Sequence, residues 1–140
     1  MSRVKGRLVI GLAGGTSDMR RSIAAFLMRP SIGLVEVLPG VPCDCRPGAE
    51  FARARALAAA LADRPRWSDP GLIHAHVVSE AESQALRDAG GLVWHITRPF
   101  STTVRIRHGD LQVTDRFGEL GSQLDPEEAL CEVLLRRRVA

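Results

Sequence analysis

Short apolar runs that end in glycine or proline alternate along the chain with longer segments whose apolar residues recur every three or four positions. Leu8 to Leu12 is such a run, the pattern of a strand buried on both faces of a parallel sheet. Gly11 to Asp18 is rich in Gly, Thr and Ser and reads as a loop. Met19 to Met28 then has Ile23, Ala24, Phe26, Leu27 and Met28 at helical spacing, and Pro30 ends it. Strand, glycine loop and helix in that order form the opening of a βαβ unit.

The pattern continues. Ile32 to Leu38, apolar apart from Glu36, predicts a second strand, and Pro39 to Gly48 a loop. Ala49 to Asp63 is Ala-rich and predicts a helix with Arg53 and Arg55 on its solvated face. Leu72 to Val78 predicts a strand and Glu80 to Ala89 a helix, with Ser79 and Glu82 at the spacing of a capping box. Gly90-Gly91 terminates that helix, and Leu92 to Thr97 is the next strand. Val104 to Val113 is weakly strand-like, with a turn at His108-Gly109-Asp110. Asp125 and Pro126 then open a last helix that runs to Arg138. Strands alternating with helices predict one three-layer α/β domain over residues 1–140, its parallel sheet of four or five strands lying between helices.

Composition narrows the possibilities. With 140 residues, 45% of them hydrophobic and 25% charged, the chain suffices for one domain with a real core. Aromatic residues make up only 4%, so base-stacking platforms are poorly supplied and nucleic acid is not an expected partner. A net charge of +3 is too small to specify a polyanion. Lys5 is the only lysine. Three cysteines (Cys43, Cys45 and Cys131) form no disulfide framework, and Cys43-Asp44-Cys45 is only half a metal site. No apolar run approaches the roughly 18 residues of a spanning helix. The basic N-terminus followed by a Gly-interrupted apolar stretch reads as a strand entering a turn rather than a leader, so the expected location is the cytoplasm.

Two stretches carry a family resemblance. Gly11-Leu-Ala-Gly-Gly-Thr-Ser-Asp-Met-Arg-Arg-Ser-Ile-Ala24 is similar to the opening of the phage-type deoxynucleoside monophosphate kinases, whose glycine-rich phosphate loop closes on Gly-Lys-Asp-Thr. Glu82-Ser-Gln-Ala-Leu-Arg-Asp-Ala-Gly-Gly-Leu-Val-Trp-His-Ile-Thr-Arg98-Pro99 resembles a later stretch of the same family more specifically. Asp110 to Leu124 and the final helix agree loosely with its ending. The middle, from about residue 31 to 71, has no counterpart and looks shortened. The resemblance implies a P-loop fold that binds ATP and Mg²⁺, with Arg98 on the substrate or nucleotide side; a charged strand end is the alternative for Arg98.

A phosphate loop works by converging backbone N–H groups, a lysine and a hydroxyl on phosphate and Mg²⁺. Here Gly14 stands at its first glycine position, Met19 at the second, Arg20 at the lysine, Arg21 next and Ser22 at the hydroxyl. Met19 adds bulk, Asp18 repels phosphate, and a guanidinium fork does not replace a compact ammonium. Gly14, Gly15, Thr16, Ser17, Arg20, Arg21 and Ser22 are therefore the candidate cradle for a single anion, with no MgATP expected unless the altered loop still functions. The family's acidic stretch after the third strand is shortened. Glu80 and Glu82 are the candidate acids, with a solvated helix-start carboxylate as the alternative for Glu80. His74 and His76 alternate on a strand and so share one face, a spacing that suits sheet packing as well as metal binding.

Three functions follow. The first is a catalytically impaired kinase relative that works by binding a protein partner, in the manner of a phage or mobile-element inhibitor or regulator. The second is a divergent active kinase using Arg20. The third is a nucleotide- or anion-binding module without turnover.

Overall fold

The computed structural model describes residues 8–38, 48–62, 71–96, 99–116 and 123–139. In it the first strand, β1 (Leu8–Gly14), is apolar on both faces because it lies between two other strands, with helices above and below. The remaining elements follow as α1 (Ser17–Leu27), β2 (Val35–Glu36), α2 (Ala49–Ala62), β3 (Gly71–Val77), α3 (Glu80–Asp88), β4 (Leu92–Ile96), β5 (Leu111–Val113) and α4 (Pro126–Val139). All strand pairs are parallel, in the order β2-β3-β1-β4-β5. The molecule is thus a three-layer α/β fold with a five-stranded parallel sheet.

One core joins α1 and α4 to the sheet through Ile23, Leu27, Ile73, Trp94, Ala129 and Val133. The other joins α2 and α3 to the opposite face through Leu57, Leu61, Leu72, Val77 and Leu86. The chain leaves β1 for α1 on one face and leaves β3 for α3 on the other. The carboxyl ends of these two neighbouring strands therefore flank a crevice, the place where open parallel sheets bind ligands. Between β4 and β5 no helix occurs among the described residues; the crossover is an irregular strap over residues 99–110.

Helix ends follow their caps. Asp125 accepts from Glu128 N at 2.8 Å while the Glu128 carboxylate accepts from Asp125 N at 3.0 Å, a reciprocal capping box. At the end of α3, Gly91 N donates to Leu86 O at 2.7 Å and Gly90 N to Arg87 O at 2.9 Å, and Gly90 takes the positive φ that this closure requires.

Three expectations are corrected. The second strand is confined to Val35–Glu36 instead of Ile32 to Leu38, since Gly33 turns with positive φ just before it. Val104 to Arg107 is not strand: Val104 packs into the α2/α3 core, and the Asp110 side chain holds the Arg107 N–H at 2.9 Å. The expected loop from Gly11 to Asp18 shrinks to Gly15 and Thr16, because β1 continues to Gly14 and Thr16 caps a helix that starts at Ser17.

Gly14 has φ +81° at the end of β1, and a Cβ there would lie 2.3 Å from the Ile96 carbonyl oxygen. A backbone oxygen in a paired strand has nowhere to move. Gly14→Ala is therefore expected to cost at least about 2 kcal/mol in urea unfolding; a loss within experimental error would contradict the tight β1–β4 end.

Candidate functional site

The turn after β1 is short and internally satisfied. Thr16 accepts from Met19 N through its hydroxyl at 3.1 Å, so Ser17 and Asp18 form the first helical turn rather than a wrapping loop. Asp18 sits where the helix dipole favours a carboxylate. Gly15, with φ +65°, donates its N–H to Pro99 O at 2.7 Å. Met19 turns into the α1/α4 core. Arg20, one turn into the helix, runs back toward the turn, as helical side chains do. Its Nη1 donates to Gly14 O at 2.7 Å and Gly15 O at 3.2 Å, and its Nε donates to His76 Nδ1 at 3.2 Å. The charge at the lysine position is thus tied to the loop's own carbonyl oxygens. Ser22 is exposed on the following turn of α1.

His76 reaches this side of the sheet through an irregularity in β3. Gly11 pairs with His74, but Ala13 pairs with Val77, so Ala75 and His76 together face Leu12 alone. The bulge reverses the alternation. His74 points to the α2/α3 face while His76 meets Arg20 and Arg21 of α1. The expectation that these histidines share a face is corrected for that reason. His76 Nε2 lies 3.1 Å from Arg21 Nη2, and Arg21 also donates to Glu36 at 3.1 Å. Burial, then the charges of Arg20 and Arg21, hold the His76 imidazole below the usual histidine range against the opposing pull of Glu36.

Glu82 is fully buried. Arg53 donates to it through Nε and Nη2, both at 3.1 Å, and His74 Nε2 lies 2.9 Å from its Oε2. Burial would raise its pKa, yet the hydrogen bonds from His74 and Arg53 outweigh that and hold it below the usual carboxylate range. Arg53, expected on a solvated face, is 8% exposed because a buried carboxylate requires a partner. Glu82 also accepts from Ser79 Oγ at 3.4 Å, and its own N–H donates to Ser79 Oγ at 3.2 Å. The expected cap forms, but its carboxylate is turned inward. Glu80 accepts from Arg105 N at 2.9 Å and from Arg107 Nη2, which lower its pKa and fasten the strap to α3.

A second buried cluster escaped the sequence reading. Arg87 donates to both oxygens of Asp110 at 2.7 and 2.9 Å, and His95 Nε2 lies 2.6 Å from Asp110 Oδ2. Burial pushes Asp110 up, but Arg87, His95 and Arg107 N more than offset it, so its pKa falls far below normal. The available signal was an acid and a cation flanking an apolar run. Nothing in the spacing paired residues 87, 95 and 110.

Arg20 thus closes on Gly14 and Gly15 and Arg21 on Glu36 and His76, whereas Glu80 and Glu82 serve the strap and the α2/α3 anchor. Arg98, Cys43 and Cys45 lie outside the described residues. Among the described residues no group of three or more His, Cys, Asp or Glu is placed to hold a metal ion, and no helix is long and apolar enough to cross a membrane. No family model, characterised protein or solved structure matches the chain.

Removing one member of the Arg53–Glu82–His74 cluster strands the others in the core, so Glu82→Leu is expected to cost about 3–5 kcal/mol. Chemical denaturation checks this; a cost below about 1 kcal/mol would contradict it. Because Glu82 and Asp110 have folded pKa values below the unfolded ones, the stability they supply is complete above the unfolded value of about 4 and is lost as pH falls below it. Asp110→Asn is expected to flatten the acid limb of a Tm-versus-pH profile and to leave Tm lower at neutral pH.

Proposed function

We propose that the chain binds a phosphate-bearing ligand without transferring phosphate, as a catalytically impaired relative of the deoxynucleoside monophosphate kinases. One observation carries this reading: Arg20 closes on the carbonyl oxygens of Gly14 and Gly15, at the start of a helix that begins at Ser17. Phosphoryl transfer needs a loop that encircles the β and γ phosphates and a cation free to follow the developing charge. A turn of Gly15 and Thr16 is too short to encircle a triphosphate, and Arg20 is already engaged by the protein. Arg21 and the Gly14–Thr16 turn still present positive charge and a helix N-terminus at the sheet's switch point, which supports binding.

Incubation with MgATP and each deoxynucleoside monophosphate is expected to yield no transferred phosphate. Phosphate-bearing compounds are expected to raise Tm, and Arg21→Ala to abolish the rise. Labelled phosphate appearing on any monophosphate would contradict the reading, as would a Tm indifferent to every phosphate compound.

A second reading, binding of a protein partner, is favoured by Phe100 and Ile106, which stand 52% and 41% exposed on the strap. They border a concavity of about 790 Å³ that also includes Arg105 and Arg107. A partner captured from the native host by the wild type and lost by Phe100→Asp at unchanged Tm would support it.

A further inference from the structure

The last helix, α4, carries apolar residues on two faces. Ala129 and Val133 are buried in the core with α1 and the sheet, and Leu130 packs beside them. Cys131, Leu134 and Leu135 are turned away from that core, the two leucines 45% and 58% exposed. Glu127, Cys131, Leu134 and Arg138 are all exposed and follow one another at intervals of four, three and four residues. On a helix those intervals bring side chains into one line, and they are the intervals at which two helices mesh. Leu135 borders the line.

The two ends of the line carry opposite charges. The other charges of α4 are engaged within the chain. Glu128 accepts from Asp125 N at 3.0 Å, Arg136 donates to Glu132 at 2.9 Å and to Gly109 O at 2.9 Å, and Arg137 has a contact of its own. Glu127 and Arg138 have no ion-pair partner among the described residues. The helix dipole accounts for an acid at the start and a cation at the end, but not for exposed leucines set between them.

We propose that this face of α4 is a docking surface for a second copy of the chain, the two helices lying antiparallel about a two-fold axis. The pattern is its own complement in that orientation. Glu127 then lies beside the partner's Arg138 and Cys131 beside the partner's Leu134, and each relation occurs twice by symmetry. Leu135 covers the seam from its edge. A parallel pair would instead set acid against acid and cation against cation. A helix of 14 residues is only about 21 Å long, so the interface is small and the dimer is a weak one. Its end-to-end ion pairs are solvent-exposed, and salt screens them.

Sedimentation equilibrium of the full chain at low salt tests this. The average mass is expected to rise with concentration from 15.2 kDa toward twice that value, and the rise is expected to shrink when salt is added. Glu127→Arg and Arg138→Glu are each expected to weaken association severalfold, with an unchanged circular dichroism spectrum because both side chains are exposed. An equimolar mixture of the two variants is expected to recover it, since each then presents the charges the other lacks. Recovery on mixing cannot arise from damage to either fold. Leu134→Asp is expected to leave a monomer at every concentration. A wild-type mass that stays at 15.2 kDa throughout overturns the inference, whatever else the face binds. So does a dimer that the single reversals leave unmoved, or a mixture that associates no better than its components.

Discussion

The guanidinium of Arg20 folded back onto the carbonyl oxygens of Gly14 and Gly15 is the contact around which the crevice is arranged. A guanidinium carries five donors and no acceptor, and a half-buried one must find oxygen. Starting α1 at Ser17 brings Arg20 within reach of the turn, and the turn supplies the oxygen. The same contact aims Nε at His76 and leaves Arg21, one residue later, pointing outward toward Glu36. A lysine at this position has three donors on a mobile point charge and would not fix the turn in the same way.

The bulge in β3 decides what faces the crevice and what is buried behind it. By facing Leu12 with both Ala75 and His76, it sends His74 into the α2/α3 core and His76 to α1. Glu82 then ties three elements together: Arg53 from α2, His74 from β3, and its own helix α3. Arg53 spans both regions, since it also donates to the His76 carbonyl. The crevice therefore rests on a buried ion cluster, and the Asp110 cluster holds the strap on the same face of the sheet.

Much of the fold was legible because its elements obey local rules. The apolar run at Leu8, the Ser79 and Asp125 caps and the Gly90 stop each state an element's type or end without help from the rest of the chain. The candidate site was legible only in part. Adjacency to the first glycine turn puts residues 14–17, 20 and 21 in one stretch, in which Arg20 meets Gly14 and Gly15 while Arg21 turns to Glu36 and His76. The start of α1 was misplaced because a run of Gly, Thr and Ser fits a loop and a capped helix equally well. The choice depended on the single Thr16 hydroxyl. His76 and Arg53 were misread for a different reason. Strict alternation cannot announce a bulge, and an Ala-rich helix gives no sign of which arginine meets a buried acid contributed by another helix. Long-range pairing, as between Arg87 and Asp110, leaves no local trace at all.

The central claim concerns the conformation of one turn, and a crystal structure determined from crystals grown with MgATP tests it most directly. The account predicts α1 beginning at Ser17 with Arg20 still bonded to Gly14 and Gly15, and no triphosphate threaded through the turn. Density for ATP encircled by residues 14–20, with Arg20 swung onto its phosphates, would contradict it.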